Sequence, residues 1–297
     1  MTGYHEPVMV SEVMSYLLES RREILVDCTA GDGGHTLEVL KRTKDTYVLA
    51  LDVDDDAVST VQGRLGREYA GRFQVRKGDY RELGQVLGKV GIPRVDGCLF
   101  DLGVSSRQVD SPERGFTYWG EAPLDMRMNR ESPVTARDLL WTLSQDELAR
   151  ILWEYGEERF SREIAARIVR AREEGALDTA EDLVKVIKAA IPARARQGEI
   201  HPARRTFQAL RIAVNDEISR LGKALWQAFL LTRPGGAIVV LSYHSLEDRI
   251  VKSVFREIED RGLGKRLTKK PARPADAEVN ANPRARSAKL RAVERAR

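Results

Sequence analysis

Gly31, Gly33 and Gly34 crowd one short loop in "VDCTAGDGGHT", Val26 to Thr36, where an apolar run gives way to glycines, acids and a histidine. A strand that breaks into glycines ahead of a helix lets the backbone approach a partner closely. A second apolar run, "TYVLALDVD", reaches Asp52, 21 residues after Gly31. An acid at that separation commonly takes the hydroxyls of a ribose, which points to an adenosine-type ligand at the switch point of a sheet. A dinucleotide would need G-x-G-x-x-G, with its pyrophosphate over the helix N-terminus. Here the pattern is G-x-G-G-H-T, with Thr36 where the third glycine would stand. Asp27, Asp32, Asp52 and Asp101 all fall in this loop or at strand ends, and they would repel a pyrophosphate. S-adenosylmethionine has no phosphate and carries a positive sulfonium and ammonium, so the acids favour it. The plain alternative is a structural turn with Asp52 as a solvated strand-end acid.

Two further loops should line the same cleft, since ligands of open α/β sheets lie beyond the carboxyl ends of the strands. Phe100 to Asn129 leaves a strand at Asp101 and is too rich in Gly, Pro and Ser for a helix. Its Phe116, Tyr118 and Trp119 offer flat faces for a splayed-out base, or else seal the junction to the helices that follow. "LSYHSLEDR", Leu241 to Arg249, should project Ser242, Tyr243 and His244 into the cleft, with Ser245 capping the next helix. None of the four histidines, His5, His35, His201 and His244, shows metal-ligand spacing, so no metal is expected. From Ile191 to Arg211 there are five arginines against one acid. With Arg159, Arg162 and Arg167 they could form a basic wall for phosphates, or a solvated charged face.

The elements that must hold these groups follow a βα rhythm over the first hundred residues. "EILVDCTA", "TYVLALDVD", "RFQVRKGD" and "VDGCLFDLG" read as strands, and "HTLEVLKRT" and "DAVSTVQGRLGREYAG" as helices. Strands alternating with helices imply a parallel sheet covered on both faces. About a hundred residues then read as all-helical. Ser144 with Glu147 forms a capping-box pattern, and apolar stripes run through Leu148, Ile151, Leu152, Tyr155 and through Leu183, Val186, Ile187, Ala190. The rhythm resumes with the helix "NDEISRLGKALWQAFLLTRPGG", the strand "AIVVLSYH" and the helix "SLEDRIVKSVFREIED", and "GKRLTKK" and "SAKLRAVER" can pair as a closing hairpin.

The expected fold is α/β: a doubly wound Rossmann-like sheet with an inserted all-helical subdomain. The sheet domain would comprise 1–108 and 203–297 and the insertion 109–202; that the sheet is of the S-adenosylmethionine-dependent methyltransferase type, and that the insertion recognises RNA, is what the family resemblance described below implies. With 42% hydrophobic and 32% charged residues the chain reads as an ordinary globular protein, without a membrane span or secretion signal. Cys28 and Cys98 sit in strand-like runs and read as buried free thiols. Net charge is +4, yet residues 261–297 hold 12 Lys/Arg against 3 Asp/Glu. That imbalance suits a polyanionic partner or a solvated basic tail.

The blocks "EPVMVSEV", "TAGDGGHT", "DLGVSS", "ERGF", "PLDMRM", "GEERFSREIA", "HPARRTFQALRIAVN", "SYHSLEDRIVK" and "NPRARSAKLR" occur in the order of the 16S rRNA (cytosine-N4) methyltransferase family, RsmH or MraW, which this chain resembles nearly end to end. The resemblance implies a cytoplasmic enzyme that uses S-adenosylmethionine to methylate a cytosine N4 in the decoding region of 16S rRNA. Its substrate would be that RNA within the small ribosomal subunit or a late assembly particle, with no membrane partner, and a homodimer is suggested. Gly33, Gly34 and His35 should then hold the methionine part, Asp52 the ribose, and Tyr80 the adenine, with Asp101 and Gln108 completing the cofactor site. Tyr80 stands where the family often has Phe. The segment after Arg261 is the least family-like.

Cytosine N4 is a poor nucleophile, so catalysis needs in-line placement and acceptors that draw on its N–H groups. Asp101 with Ser105 and the Ser106 backbone form the expected acceptor edge, and Tyr243 and His244 are candidates for stacking on or orienting the base. Two rivals remain at this level: a nicotinamide-dependent oxidoreductase on the same sheet, and an RNA-binding ribosome-assembly factor without catalysis.

Overall fold

A computed structural model describes residues 6–19, 22–196 and 201–297 of the chain; His5 lies outside them. Seven strands form one sheet: β1 (Ile24–Asp27), β2 (Tyr47–Asp52), β3 (Phe73–Lys77), β4 (Val95–Asp101), β5 (Thr232–Ser242), β6 (Gly264–Arg266) and β7 (Lys289–Arg295). Their order is β3-β2-β1-β4-β5-β7-β6. The first five are parallel, and β7 pairs antiparallel with both β5 and β6. The hairpin expected at the C-terminal end is present, with Gly264 opposite Arg295.

The order reverses between β1 and β4. From β1 the chain builds outward through β2 and β3, then returns to place β4 on the other side. That reversal opens the crevice in which such sheets bind ligands. Asp27 and Asp101 end the two flanking strands.

Period-two alternation gives each strand two apolar faces. Leu25, Val48, Ala50, Leu99, Val239 and Leu241 meet α1 (Val10–Leu17), α2 (Gly34–Arg42) and α3 (Asp55–Leu65). Val26, Leu49, Leu51, Cys98, Phe100 and Val240 meet α4 (Leu83–Lys89) and two later helices on the opposite face. Cys28 and Cys98 are buried free thiols.

Between β4 and those later helices the chain forms a second compact unit, Val104–Glu217; the first comprises Met1–Gly103 and Ile218–Arg297. The second holds α5 (Ser106–Asp110), α6 (Ala136–Thr142), α7 (Gln145–Gly156), α8 (Ser161–Glu173), α9 (Ala180–Ala190) and α10 (Arg204–Asn215) around its own core. Packing draws this unit wider than the 109–202 read from sequence. Phe207, Ala209 and Leu210 of α10 are buried with Leu148 and Leu152 of α7, so α10 belongs to the helical core and does not rejoin the sheet. The Ser144–Glu147 capping box is present at α7, and Thr135 and Thr179 cap α6 and α9 in the same way.

The first unit resumes with α11 (Leu221–Leu231) and α12 (Ser245–Asp260), followed by α13 (Asp276–Ala281) before β7. Pro234, Gly235 and Gly236 bulge out at the start of β5, where the register jumps from Val95↔Thr232 to Gly97↔Ala237. No helix among the described residues is long and apolar enough to cross a membrane.

Candidate cofactor and acceptor site

The loop after β1 is tied to β2 by backbone bonds and by Asp52. Ala30 N–H donates to the Leu51 carbonyl at 2.7 Å. Asp52 accepts from Gly31 N–H at 2.8 Å on Oδ2 and from Asp54 N–H at 3.0 Å on Oδ1. Burial still pushes its pKa up to about 6, against the pull of these two donors. Gly31 (φ 52°) and Gly33 (φ 76°) take left-handed conformations that favour glycine. The close approaches at Gly33 and Gly34 are to protein. A Cβ at Gly33 would stand 3.2 Å from Val61, and one at Gly34 3.0 Å from Pro7.

Thr36, at the position of the absent third glycine, is buried and donates its hydroxyl to Asp27 Oδ2 at 2.6 Å. Thr29 N–H donates to Asp27 Oδ1 at 3.2 Å. Burial raises the Asp27 pKa, partly offset by Thr36 and by nearby His35.

Asp101 ends β4 beside Asp27. Its Oδ1 accepts from the Tyr243 hydroxyl at 2.7 Å, and its Oδ2 lies 3.6 Å from His35 Nδ1. Its own N–H donates to the Thr29 hydroxyl at 2.6 Å. Burial raises the Asp101 pKa, with His35 and Tyr243 pulling the other way. The Tyr243 phenol is pushed well up, first by burial and then by the Asp101 charge. His35 is itself buried, its Nε2 2.9 Å from the Val8 carbonyl. Tyr80 follows β3 and sets its ring edge-on to Phe100, centroids 5.5 Å apart.

Three carboxylates, Asp27, Asp52 and Asp101, thus close the ends of adjacent strands, each raised by burial. Their partners are backbone N–H groups, hydroxyls and His35. None is paired with a lysine or arginine among the described residues. With the His35 ring as its one basic neighbour, such a set is short of counter-charge and would be stabilised by a cationic ligand.

The "SYHS" segment departs from expectation at two residues. Ser242 does not enter the cleft. It is buried opposite Lys289 of β7 and donates to that residue's carbonyl at 3.4 Å. The cap of α12 is His244 and not Ser245: His244 Nδ1 accepts from Glu247 N–H at 3.4 Å, while Glu247 Oε2 accepts from Tyr243 N–H at 2.8 Å and His244 N–H at 3.3 Å. Glu247 is the residue the sequence reading missed; its signal was its place three residues after the cap, as in a capping box. Thr29 was missed as well, and only the fold brings it to Asp101.

The remaining expected site residues lie in the second unit. Ser105 caps α5, its Oγ accepting from Gln108 N–H at 3.2 Å, and Gln108 Oε1 accepts from Ser105 N–H at 3.0 Å. Gln108 is buried. Phe116 and Tyr118 pack against the helical core, whereas Trp119 is 66% exposed. Arg159, Arg162, Arg167, Arg194, Arg196, Arg204 and Arg205 are all exposed, while Arg211 is held by both oxygens of Glu217 at 2.8 Å.

Comparison with known proteins agrees with this geometry. Residues 2–296 match the family described as the MraW methylase family. A protein of Geobacter sulfurreducens named ribosomal RNA small subunit methyltransferase H is 47% identical, covering 99% of this chain and 100% of the relative. Proteins of the same name from Symbiobacterium thermophilum and Thermotoga neapolitana are 44% and 46% identical, each over 99% of this chain and 97% and 96% of the relative. A doubly wound sheet, a glycine loop flanked by carboxylates with no lysine or arginine partner among the described residues, and an end-to-end match converge: the chain belongs to the MraW methylase family.

Proposed function

We propose that this protein uses S-adenosylmethionine to methylate the N4 amine of a cytosine in 16S rRNA, acting on the small ribosomal subunit or a late assembly particle. The observation that carries the reading is the trio at the carboxyl ends of β1, β2 and β4, Asp27 buried and Asp52 and Asp101 half-buried, with no lysine or arginine partner among the described residues and His35 as the one basic group beside them. A phosphate-bearing cofactor would meet only repulsion there. The names of the relatives support the RNA substrate. Cytoplasmic location and a homodimer belong to the same reading, on the family resemblance.

When bound, the donor supplies a methyl group already activated by a positive sulfur, so no covalent enzyme intermediate is required. Asp52 would accept the ribose hydroxyls, for which its remaining lone pairs are free. Gly33, Gly34 and His35 would flank the methionine part, and Tyr80, braced by Phe100, the adenine. Asp101 would accept a hydrogen bond from the amine as positive charge develops on nitrogen. Its raised pKa makes it a stronger acceptor than an exposed aspartate. Tyr243 positions Asp101 by fixing Oδ1, and Oδ2, 3.6 Å from His35 Nδ1, would be the oxygen that accepts from the amine. The proton leaves the amine through Asp101 to water.

Calorimetry should show binding of S-adenosylmethionine and none of NADH. Labelled methyl should pass to small subunits from a strain lacking the modification, with N4-methylcytidine as the product after digestion and mass analysis. NADH binding without donor binding would return the oxidoreductase reading. RNA binding without methyl transfer would favour the assembly factor.

A further inference from the structure

We infer that the helical unit carries a platform for single-stranded RNA, with the Trp119 indole as its stacking surface and Arg159, Arg162 and Arg204 as its phosphate contacts. It rests on the RNA-substrate reading above, and it concerns nucleotides other than the one methylated.

A tryptophan left 66% exposed forfeits the burial that large aromatics usually gain. Trp119 is nonetheless braced from one side. Its ring lies 5.0 Å from that of His201, which stacks on Tyr118 with centroids 4.6 Å apart and planes 5° off parallel. Tyr118 is fixed in turn by an edge contact to Phe207 of α10. Burial and the charge of Lys188 lower the His201 pKa, which favours the neutral ring. Tyr118 and His201 thus form a stacked pair, and Trp119, tilted 56° against His201, is the member of the cluster that faces solvent.

The basic groups adjoin this stack through the backbone. Arg204 N–H donates to the His201 carbonyl at 3.0 Å, which seats the start of α10 on the histidine. Arg205 Nη1 donates to the Glu157 carbonyl at 3.1 Å, and Gly156 lets the chains meet, since a Cβ there would stand 2.7 Å from the Arg205 carbonyl oxygen. Arg159 and Arg162 follow directly, at the turn into α8. Four other arginines of this unit are engaged: Arg127 by Asp125, Arg170 by Glu174, Arg172 by two carbonyls, Arg211 by Glu217. The side chains of Arg159, Arg162 and Arg204 are exposed and have no partner among the described residues. Stacking aromatics beside unpaired cations are what an unpaired strand needs, because every base has a π-face and every step a phosphate.

The test uses the full chain without methyl donor and a labelled 12-nucleotide RNA that contains no cytosine, so that the acceptor pocket plays no part. Trp119→Ala should weaken binding at least about fivefold and Trp119→Phe much less, with a duplex of the same length bound more weakly than the single strand. The double variant Arg159→Ala/Arg204→Ala should lower the slope of log K against log salt by about 1.4, at about 0.7 per phosphate contact on a single strand. Donor binding should be unchanged in every variant, which shows that the sheet domain is intact. Three results overturn the inference: no binding of the oligonucleotide by the wild type, equal affinity in Trp119→Ala, or a loss seen only with assembled subunits, which would point to a protein partner. A wild type that binds the oligonucleotide yet transfers no methyl group defeats the enzymatic reading and leaves the platform standing. Methyl transfer with no effect of the variants on oligonucleotide binding does the reverse.

Discussion

The Tyr243 hydroxyl donates to Asp101 Oδ1 at 2.7 Å, joining the residue after β5 to the last residue of β4. This bond is one of the two influences that hold down a carboxylate otherwise raised by burial. Tyr243→Phe removes it and leaves the ring. The expected result is a kcat for methyl transfer lower by about tenfold, in line with loss of one hydrogen bond to a charged group, and a KM for the donor changed less than about twofold. The acid limb of the pH profile should move upward, because the freed carboxylate binds its proton more tightly. A profile identical to wild type would remove Tyr243 from a positioning role.

Asp52 gives a pH dependence whose sign is fixed. Its folded pKa, about 6, lies above the unfolded value of 3.8, so the folded protein holds a proton that the unfolded chain releases between those limits. The stability contributed by this group is therefore fully present below about pH 4 and lost as pH rises to about 6. Ligand binding runs the other way, because the ribose contact needs the carboxylate. Donor affinity should fall about tenfold between pH 7 and pH 5. Calorimetry with Asp52→Asn should show weak binding that is flat over the same range, and a sloping titration in that variant would assign the dependence to another group.

Glycine substitutions separate loop geometry from helix propensity. Gly33→Ala places a Cβ at φ 76° and 3.2 Å from Val61, so it should lower stability by about 1–2 kcal/mol. Gly63 lies inside α3 with nothing within 4 Å of an added Cβ. Gly63→Ala should raise stability by about 0.5–1 kcal/mol. Urea melts of the two variants, with opposite displacements of the midpoint, are the check.

His244 has a structural role that can be divided from a chemical one. His244→Ala should cost about 0.5–2 kcal/mol through loss of the α12 cap, and His244→Asn, a competent cap, should regain most of it. If methyl transfer recovers with the asparagine, the imidazole is not needed for the chemistry. A folded asparagine variant without activity would restore it to the reaction.

The sheet was legible because strands buried on both faces leave continuous apolar runs ending in acids and glycines. Asp27, Asp52 and Asp101 could be placed for that reason. α4, written "LGQVLGK" with two glycines, has too weak a periodicity to stand out, and α13 is a six-residue helix in a proline-rich stretch. Ser242 was misplaced because its pairing partner, Lys289, lies 47 residues further along, and nothing local marks which side of β5 that strand would cover. Phe116, Tyr118 and Trp119 read alike in sequence; only packing against the helical core decides which two turn inward. The capping histidine eluded the reading because serine is the commoner cap and stood next to it.

β7 is synthesised after β6 but lies between β6 and β5. Until its seven residues emerge, β6 has no neighbour and the flank of β5 is bare. A nonsense codon shortly before Lys289 would therefore strip two strands, not one, and expose a sticky margin on which nascent copies could aggregate.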